Sequence, residues 1–272
     1  MKKQLLIAAV AATFTTVAMA DINISGKAKF NSQDGVYSHE ADLKITGKSG
    51  DTKVTTNISL DGTFEIEDLY LTTKVAGVKV KMGGWRGGKS ELTRVSGSMS
   101  ERVKVSTSFG GLSLAYEDKG SSNSITIGGS LAGVKVSHKI NQNTSTESKA
   151  SGTMGGVNVA VHSKEDSAGA TNTAVTLSTA VQGITLTYVT LSNETTVTND
   201  GCMGKQVVAA GDDAQAFGIK TAIAGNTVAF KAITVGTVDT NKVIVTRKLG
   251  GGATFEATYV DKDGSDATLD LE

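Results

Sequence analysis

The sequence predicts a single antiparallel transmembrane β-barrel of 16 to 18 strands. Three observations carry this: period-two alternation of apolar and polar residues, very short Gly-containing turns at hairpin spacing, and the absence of proline. In Ile22-Asn23-Ile24-Ser25-Gly26-Lys27-Ala28-Lys29-Phe30, one face is Ile22, Ile24, Gly26, Ala28 and Phe30, and the other is Asn23, Ser25, Lys27 and Lys29. The split recurs at 78–82, 134–140 and 157–162. Such alternation puts successive side chains on opposite faces of a sheet.

Tight turns stand at Ser49-Gly50-Asp51, Ala76-Gly77, Gly110-Gly111, Ala132-Gly133, Gly155-Gly156, Gln182-Gly183, Gly225-Asn226 and Gly250-Gly251-Gly252. Glycine reaches the positive φ that two-residue hairpin turns need. Longer polar connections lie between them, at 141–145, 164–170, 192–214 and 236–241. Tight and loose ends therefore alternate, which is the arrangement of short periplasmic turns and longer external loops. The expected strands are 22–30, 37–48, 52–60, 65–75, 78–83, 101–109, 112–117, 123–131, 134–140, 146–154, 157–163, 171–181, 184–191, 215–223, 227–235, 242–249, 253–261 and 267–272. If the first or last segments are not strands, the count falls to sixteen.

Closure and the membrane follow from the same pattern. An open sheet this wide would leave two edges. A water-soluble sandwich would need a solid core, yet the second face carries many Lys, Ser, Thr and Asn. In a transmembrane barrel apolar residues face lipid and polar ones face a wet lumen. Strands of about nine residues at roughly 3.3 Å each, tilted near 40°, span about 23 Å, close to the apolar band of about 25 Å such barrels present. Proline is 0 of 272 residues, as expected where every strand is central and each N–H is needed for a ladder bond. A soluble β-solenoid or fibre is the rival, but its period would be shorter and more uniform. Candidates for the aromatic girdles are Tyr70, Phe109, Tyr116, Tyr188, Phe217, Phe230, Phe255 and Tyr259.

The ends of the chain carry signals of their own. Met1-Lys2-Lys3, the apolar run Leu5 to Ala12 and Ala18-Met19-Ala20 have the order of a secretory signal peptide cleaved after Ala20. Domains are therefore 1–20, the signal peptide, and 21–272, the barrel. Lys+Arg and Asp+Glu are both 27 and Cys is 1. That balance argues against a nucleic-acid partner, and the single cysteine against a disulfide framework. One Cys and three His do not make a typical zinc site. No cofactor, metal site or catalytic residue is expected: no Ser–His pair has a spacing that suggests nucleophilic catalysis. Cys202, with Asn199, Asp200, Asp212 and Asp213 nearby, reads as a polar loop. His138 falls on the apolar face and His162 on the lumen face.

The start Met1 to Ala20 followed by Ile22-Asn23-Ile24-Ser25-Gly26-Lys27 resembles the general porins of Gram-negative bacteria. So does Asp68-Leu69-Tyr70-Leu71-Thr72-Thr73-Lys74-Val75-Ala76-Gly77-Val78-Lys79-Val80-Lys81-Met82-Gly83, a strand, tight turn and strand. Repeats such as 151–161 are similar. The resemblance implies a homotrimeric outer-membrane channel in contact with lipid, for passive diffusion of ions and small hydrophilic solutes. It implies that the loop after the fifth strand, 84–96, folds into the pore, so that Arg86, Lys89, Glu91 and Arg94 lie at the constriction. Two features depart from that pattern: the loop has no Pro-Glu-Phe-Gly-type turn, and the final residues Leu269-Asp270-Leu271-Glu272 include no terminal aromatic.

By parity, Lys27, Lys29, Lys44, Lys79, Lys81, Arg102, Lys104, Lys135 and Lys139 point into the lumen, with Glu67 and Glu256 the clearest inward acids. Their balance predicts a mild anion preference; the alternative, given equal weight, is that they are solvated residues without selectivity. The alternative function is a non-conducting surface barrel, an adhesin or structural protein, whose loops would be longer than most of those here.

Overall fold

The computed structural model describes residues 21–33, 36–60, 64–87, 92, 99–201, 204–249 and 253–271. The expected signal peptide and its cleavage point lie outside these residues.

Eighteen antiparallel strands form one sheet that closes on itself. They are β1 (Asp21–Gln33), β2 (Val36–Ser49), β3 (Thr52–Ser59), β4 (Glu65–Val75), β5 (Val78–Trp85), β6 (Ser100–Phe109), β7 (Leu112–Asp118), β8 (Asn123–Leu131), β9 (Val134–Asn141), β10 (Ser145–Met154), β11 (Val157–Asp166), β12 (Thr171–Val181), β13 (Ile184–Asn193), β16 (Ala214–Ile223), β17 (Asn226–Val235), β18 (Val238–Lys248), β19 (Thr254–Lys262) and β20 (Thr268–Leu271). Each pairs with its neighbour in sequence. β20 closes the ring against β19 and, through Ser32↔Leu271 and Gln33↔Asp270, against β1. The intervening β14 (Val197–Gly201) and β15 (Gly204–Val208) make a separate hairpin.

The barrel strands match the eighteen segments expected from periodicity. Three connections differ, and the turn expected at Gly250-Gly251-Gly252 lies outside the described residues. The turn expected at Gly225-Asn226 is Ala224-Gly225, with Asn226 already in β17 opposite Ile223. The 192–214 stretch, expected as loop, contains the β14–β15 hairpin, in which Val197 faces Val208 and Thr198 faces Val207. The 236–241 stretch is a two-residue turn, Gly236-Thr237, with Val235 facing Val238; its polar Asp239, Thr240 and Asn241 belong to the strand.

At one end of the barrel the turns Ala76-Gly77, Gly110-Gly111, Ala132-Gly133, Gly155-Gly156, Gln182-Gly183 and Ala224-Gly225 have both central residues at positive φ, near 50° and 80°. This is the type I′ geometry, whose twist matches that of the flanking strands. Gly83 meets a different constraint. It sits in mid-strand at φ +118, and a Cβ there would run into the Leu69 carbonyl and the Tyr70 backbone.

Outward positions are apolar and exposed. Ile22 is 69%, Leu114 50%, Ile127 52% and Phe109 89% accessible. An apolar surface running round the sheet is far larger than water tolerates on a soluble protein, and it is what a barrel presents to lipid. Tyr116, Tyr188, Phe217, Phe230, Phe255 and Tyr259 share this face. Tyr70 does not. Expected in a girdle, it shares its register parity with Asp68 and Thr72 and turns into the lumen to meet Trp85 edge-on, ring centroids 6.1 Å apart.

Gly83→Ala is expected to lower the unfolding midpoint of the detergent-folded barrel, at a cost on the order of 2 kcal/mol. Gly47→Ala, where no atom lies within 4 Å of the added methyl, is expected to stay within about 0.5 kcal/mol of the parent. Urea titration followed by tryptophan fluorescence measures both.

Candidate functional site: the lumen

The lumen has two unlike walls. Strands β1 to β11 present charge. Strands β12 to β17 present, toward the loop end, Ala174, Val189, Leu191, Ala214, Ala216 and Ile233, all buried. Inward residues can be apolar here because protein covers them. Val197 and Val208 of the hairpin and Leu92 of the connection between β5 and β6 join the same cluster, Leu92 at 5% exposure. β13 lies eight strands round from β5, so Leu92 makes this contact on the far side of the lumen from the strand it follows. The hairpin base is tied down by Asn172, which donates to Thr195 Oγ1 at 2.7 Å and accepts from the Glu194 and Thr195 amides at 3.1 Å. Asn193 adds a bond to the Ala209 carbonyl at 2.6 Å.

Where this connection leaves β5, Arg86 is held at the charged wall. Its guanidinium pairs with Glu67, and its amide donates to Asp68 Oδ1 at 2.8 Å. Asp68 Oδ2 also accepts from Asn57 Nδ2 at 2.6 Å. Two consecutive carboxylates can reach the lumen because the β3–β4 register slips between Asn57 and Ile58. Glu67 is the extra residue of that bulge; strict alternation from Asp68 would send it into lipid. Lys89, Glu91 and Arg94, the other residues expected at the constriction, lie outside the described residues.

Beyond Arg86 is a cluster that sequence reasoning missed. Lys81 Nζ stands 3.6 Å from the Tyr70 ring centroid and 4.1 Å from that of Trp85, and the Arg102 guanidinium is 4.7 Å from the Trp85 centroid. Cations over aromatic faces gain about 0.5–2 kcal/mol each. Arg102, nearly buried, donates to the Trp85 and Ser100 carbonyls and bridges to Glu117 at 3.1 Å. Glu117 also draws Lys104 at 3.9 Å and Lys119 at 3.8 Å. The signal was present in the parity of Lys79, Lys81, Gly83 and Trp85, which share one face of β5. A second cluster joins Glu147 to Lys149 at 2.8 Å and to His162 at 2.6 Å. His138 is on the lipid side, 2.9 Å from Ser148 Oγ.

The register places the remaining residues. Lys27 and Lys44 line a hollow with Asp42, Asn57, Glu67 and Arg86. The Lys29 side chain lies outside the described residues. Lys79, Lys135 and Lys139 occupy inward positions, as does Glu256, which accepts from Thr246 Oγ1 at 3.1 Å. Lysines face lysines directly across strands four times on the lumen side: Lys48↔Lys53, Lys74↔Lys79, Lys81↔Lys104 and Lys231↔Lys242.

No protein-family model and no curated protein matches the chain. Solved structures do. OccK10 (OpdN) of Pseudomonas aeruginosa superposes with a TM-score of 0.67 at 10% identity, over 93% of this chain and 97% of its own. OccD3 (OpdP) of the same organism gives 0.65 at 11%, over 95% and 91%. P. aeruginosa OpdK, solved with vanillate, gives 0.61 at 10%, over 93% and 96%. The fold is the outer-membrane porin barrel. At this identity the likeness concerns the porin barrel alone; the lumen residues stand on their own geometry.

Glu117→Gln would leave Arg102 beside a neutral partner in a nearly buried site, and a loss of about 1–3 kcal/mol is expected in the urea unfolding of the barrel. Replacing both partners, Arg102→Met with Glu117→Leu, is expected to recover most of that loss.

Proposed function

We propose that this protein is a water-filled channel of the bacterial outer membrane for passive diffusion of ions and small hydrophilic solutes, with a preference for anions. The observation that carries the selectivity is the set of like-charged pairs. Like charges directly opposite across strands are destabilising, and four such pairs on inward positions, with Glu117 drawing Lys104 of one of them, favour an anion in the space between them.

Their arrangement supports transit. Inward positions follow one another across strands as Lys48, Lys53, Thr72, Lys81, Lys104 and Glu117. A second row runs Lys74, Lys79, Ser106, Ala115, Thr126, Lys139, Glu147 and Lys164. Because barrel strands are tilted, each row climbs from the tight-turn end to the loop end. Cations spaced along such a ramp lower the barrier for an anion without one deep trap, the balance conduction needs. The β5–β6 connection, anchored by Leu92 on the far wall, sets the aperture between them.

Export by the N-terminal signal peptide, read from its basic start, apolar run and cleavage site, the absence of catalysis, read from the lack of a Ser–His spacing, and a homotrimeric assembly, which rests on the sequence resemblance, belong to the same reading. The adhesin alternative has no observation of its own in its favour: the loop-end connections among the described residues are mostly short, and the long one folds back over the lumen wall.

In a planar bilayer with a salt gradient, the sign of the reversal potential is expected to show anion preference. Lys81→Gln with Lys104→Gln is expected to reduce the anion-to-cation permeability ratio severalfold. A folded protein that never conducts would overturn the reading. In the same recordings, Leu92→Ala is expected to raise open-channel current noise by releasing the connection from the apolar wall, with cleavage by added protease between β5 and β6 accelerated.

A further inference from the structure

Most lumen cations for which a close contact is described are held by a carboxylate: Arg86 by Glu67, Arg102, Lys104 and Lys119 by Glu117, Lys149 by Glu147. Lys135 differs. It faces Ser130 on β8 and Ser151 on β10, and it has no ion pair among the described residues. It borders a hollow of about 270 Å³ near the Gly155-Gly156 turn, lined on the lumen side by Ser151, Thr153, Asn158, Thr176 and Ser178. No carboxylate lines it.

The hollow exists because its floor is small. Ala160 stands between Ser151 and Thr176 in one register row. In the row below, Thr153, Asn158 and Ser178 follow one another. Thr153 Oγ1 donates to Asn158 Oδ1 at 2.6 Å. That bond occupies the amide oxygen and leaves the Asn158 NH₂, with its two donors, facing the hollow. The hydroxyls of Ser151, Thr176 and Ser178 make no hydrogen bond among the described residues, and each can donate or accept. The site therefore offers one ammonium, one amide donor pair and three uncommitted hydroxyls in a space suited to a solute of about a dozen heavy atoms. The ammonium selects a negative charge, and the hydroxyls reward a ligand that is itself a chain of hydroxyls. A simple carboxylate would use the first and leave the rest to water.

We propose that this hollow is a binding subsite for a small polyhydroxylated monoanion, a sugar acid in chemical class, with Lys135 holding its carboxylate and Asn158 and the hydroxyls reading its polyol chain. The subsite rests on the channel reading above, because it lies on the lumen wall at the tight-turn mouth, where a solute would dwell before leaving.

The test uses the detergent-folded protein and gluconate as the probe. Equilibrium dialysis with radiolabelled gluconate measures binding without requiring conduction. Saturable binding is expected, weakened about tenfold or more by Lys135→Gln, since a charge-assisted hydrogen bond contributes that much, and weakened by Asn158→Leu. Arg247→Gln, a charge removed from the outer face, is expected to leave it unchanged. Acetate competing as well as gluconate would overturn the role of the hydroxyls, and glucose competing as well would overturn the role of Lys135. Binding insensitive to Lys135→Gln would overturn the location. Chloride conductance with no saturable gluconate binding would remove the subsite and leave the channel. Gluconate binding without conductance would remove the channel and leave the subsite.

Discussion

A strand inside a closed ring has no free edge, so each residue has two places for its side chain: lipid or lumen. In a bilayer the backbone has no water to fall back on, and every N–H and C=O must find its partner in the neighbouring strand. That requirement dictates closure and fixes parity from strand to strand. Parity then converts a one-dimensional alternation into an apolar exterior and a charged interior. Tight turns preserve it, since two type I′ residues return the chain with its faces unchanged.

The consequential departures are the places where parity is bent or overruled. The β3–β4 bulge adds one residue, and through it Glu67 and Asp68 both reach the lumen to hold Arg86. Gly83 lets the backbones of β4 and β5 approach where a side chain would collide, beside the Tyr70–Trp85 pair and the cations over it. On the wall from β12 to β17 the inward residues are apolar, since the hairpin and Leu92 cover them. One lumen thus contains a small hydrophobic core on one side and a field of lysines on the other.

That asymmetry is the physical basis of the functional reading. In the proposed channel, Leu92 anchors the β5–β6 connection on the apolar side, and the charged side attracts anions. Glu117 serves Arg102, Lys104 and Lys119 at once, and Glu147 holds both Lys149 and His162, so the charged wall is stitched together without being neutralised. Lys53, Lys79 and Lys135 have no ion pair among the described residues and add positive charge on the lumen side.

The strand count, most turn positions and the common face of Lys79, Lys81, Arg102, Lys104, Lys135 and Lys139 were legible in the sequence, because all depend on a period of two and on glycine's freedom at turns, which are local properties. Tyr70 could not be placed from its type, since an aromatic suits a girdle as well as a lumen; the opposing residue on β5 decided it. Glu67 was placed inward, yet the bulge that carries it there depends on how two strands meet. The apolar wall under Leu92 and the hairpin was invisible for the same reason: Val189, Leu191, Ala214 and Ala216 read in sequence as residues any strand might bury. Only the ring, by bringing β5 and β13 to opposite sides of one lumen, gave them something to cover them.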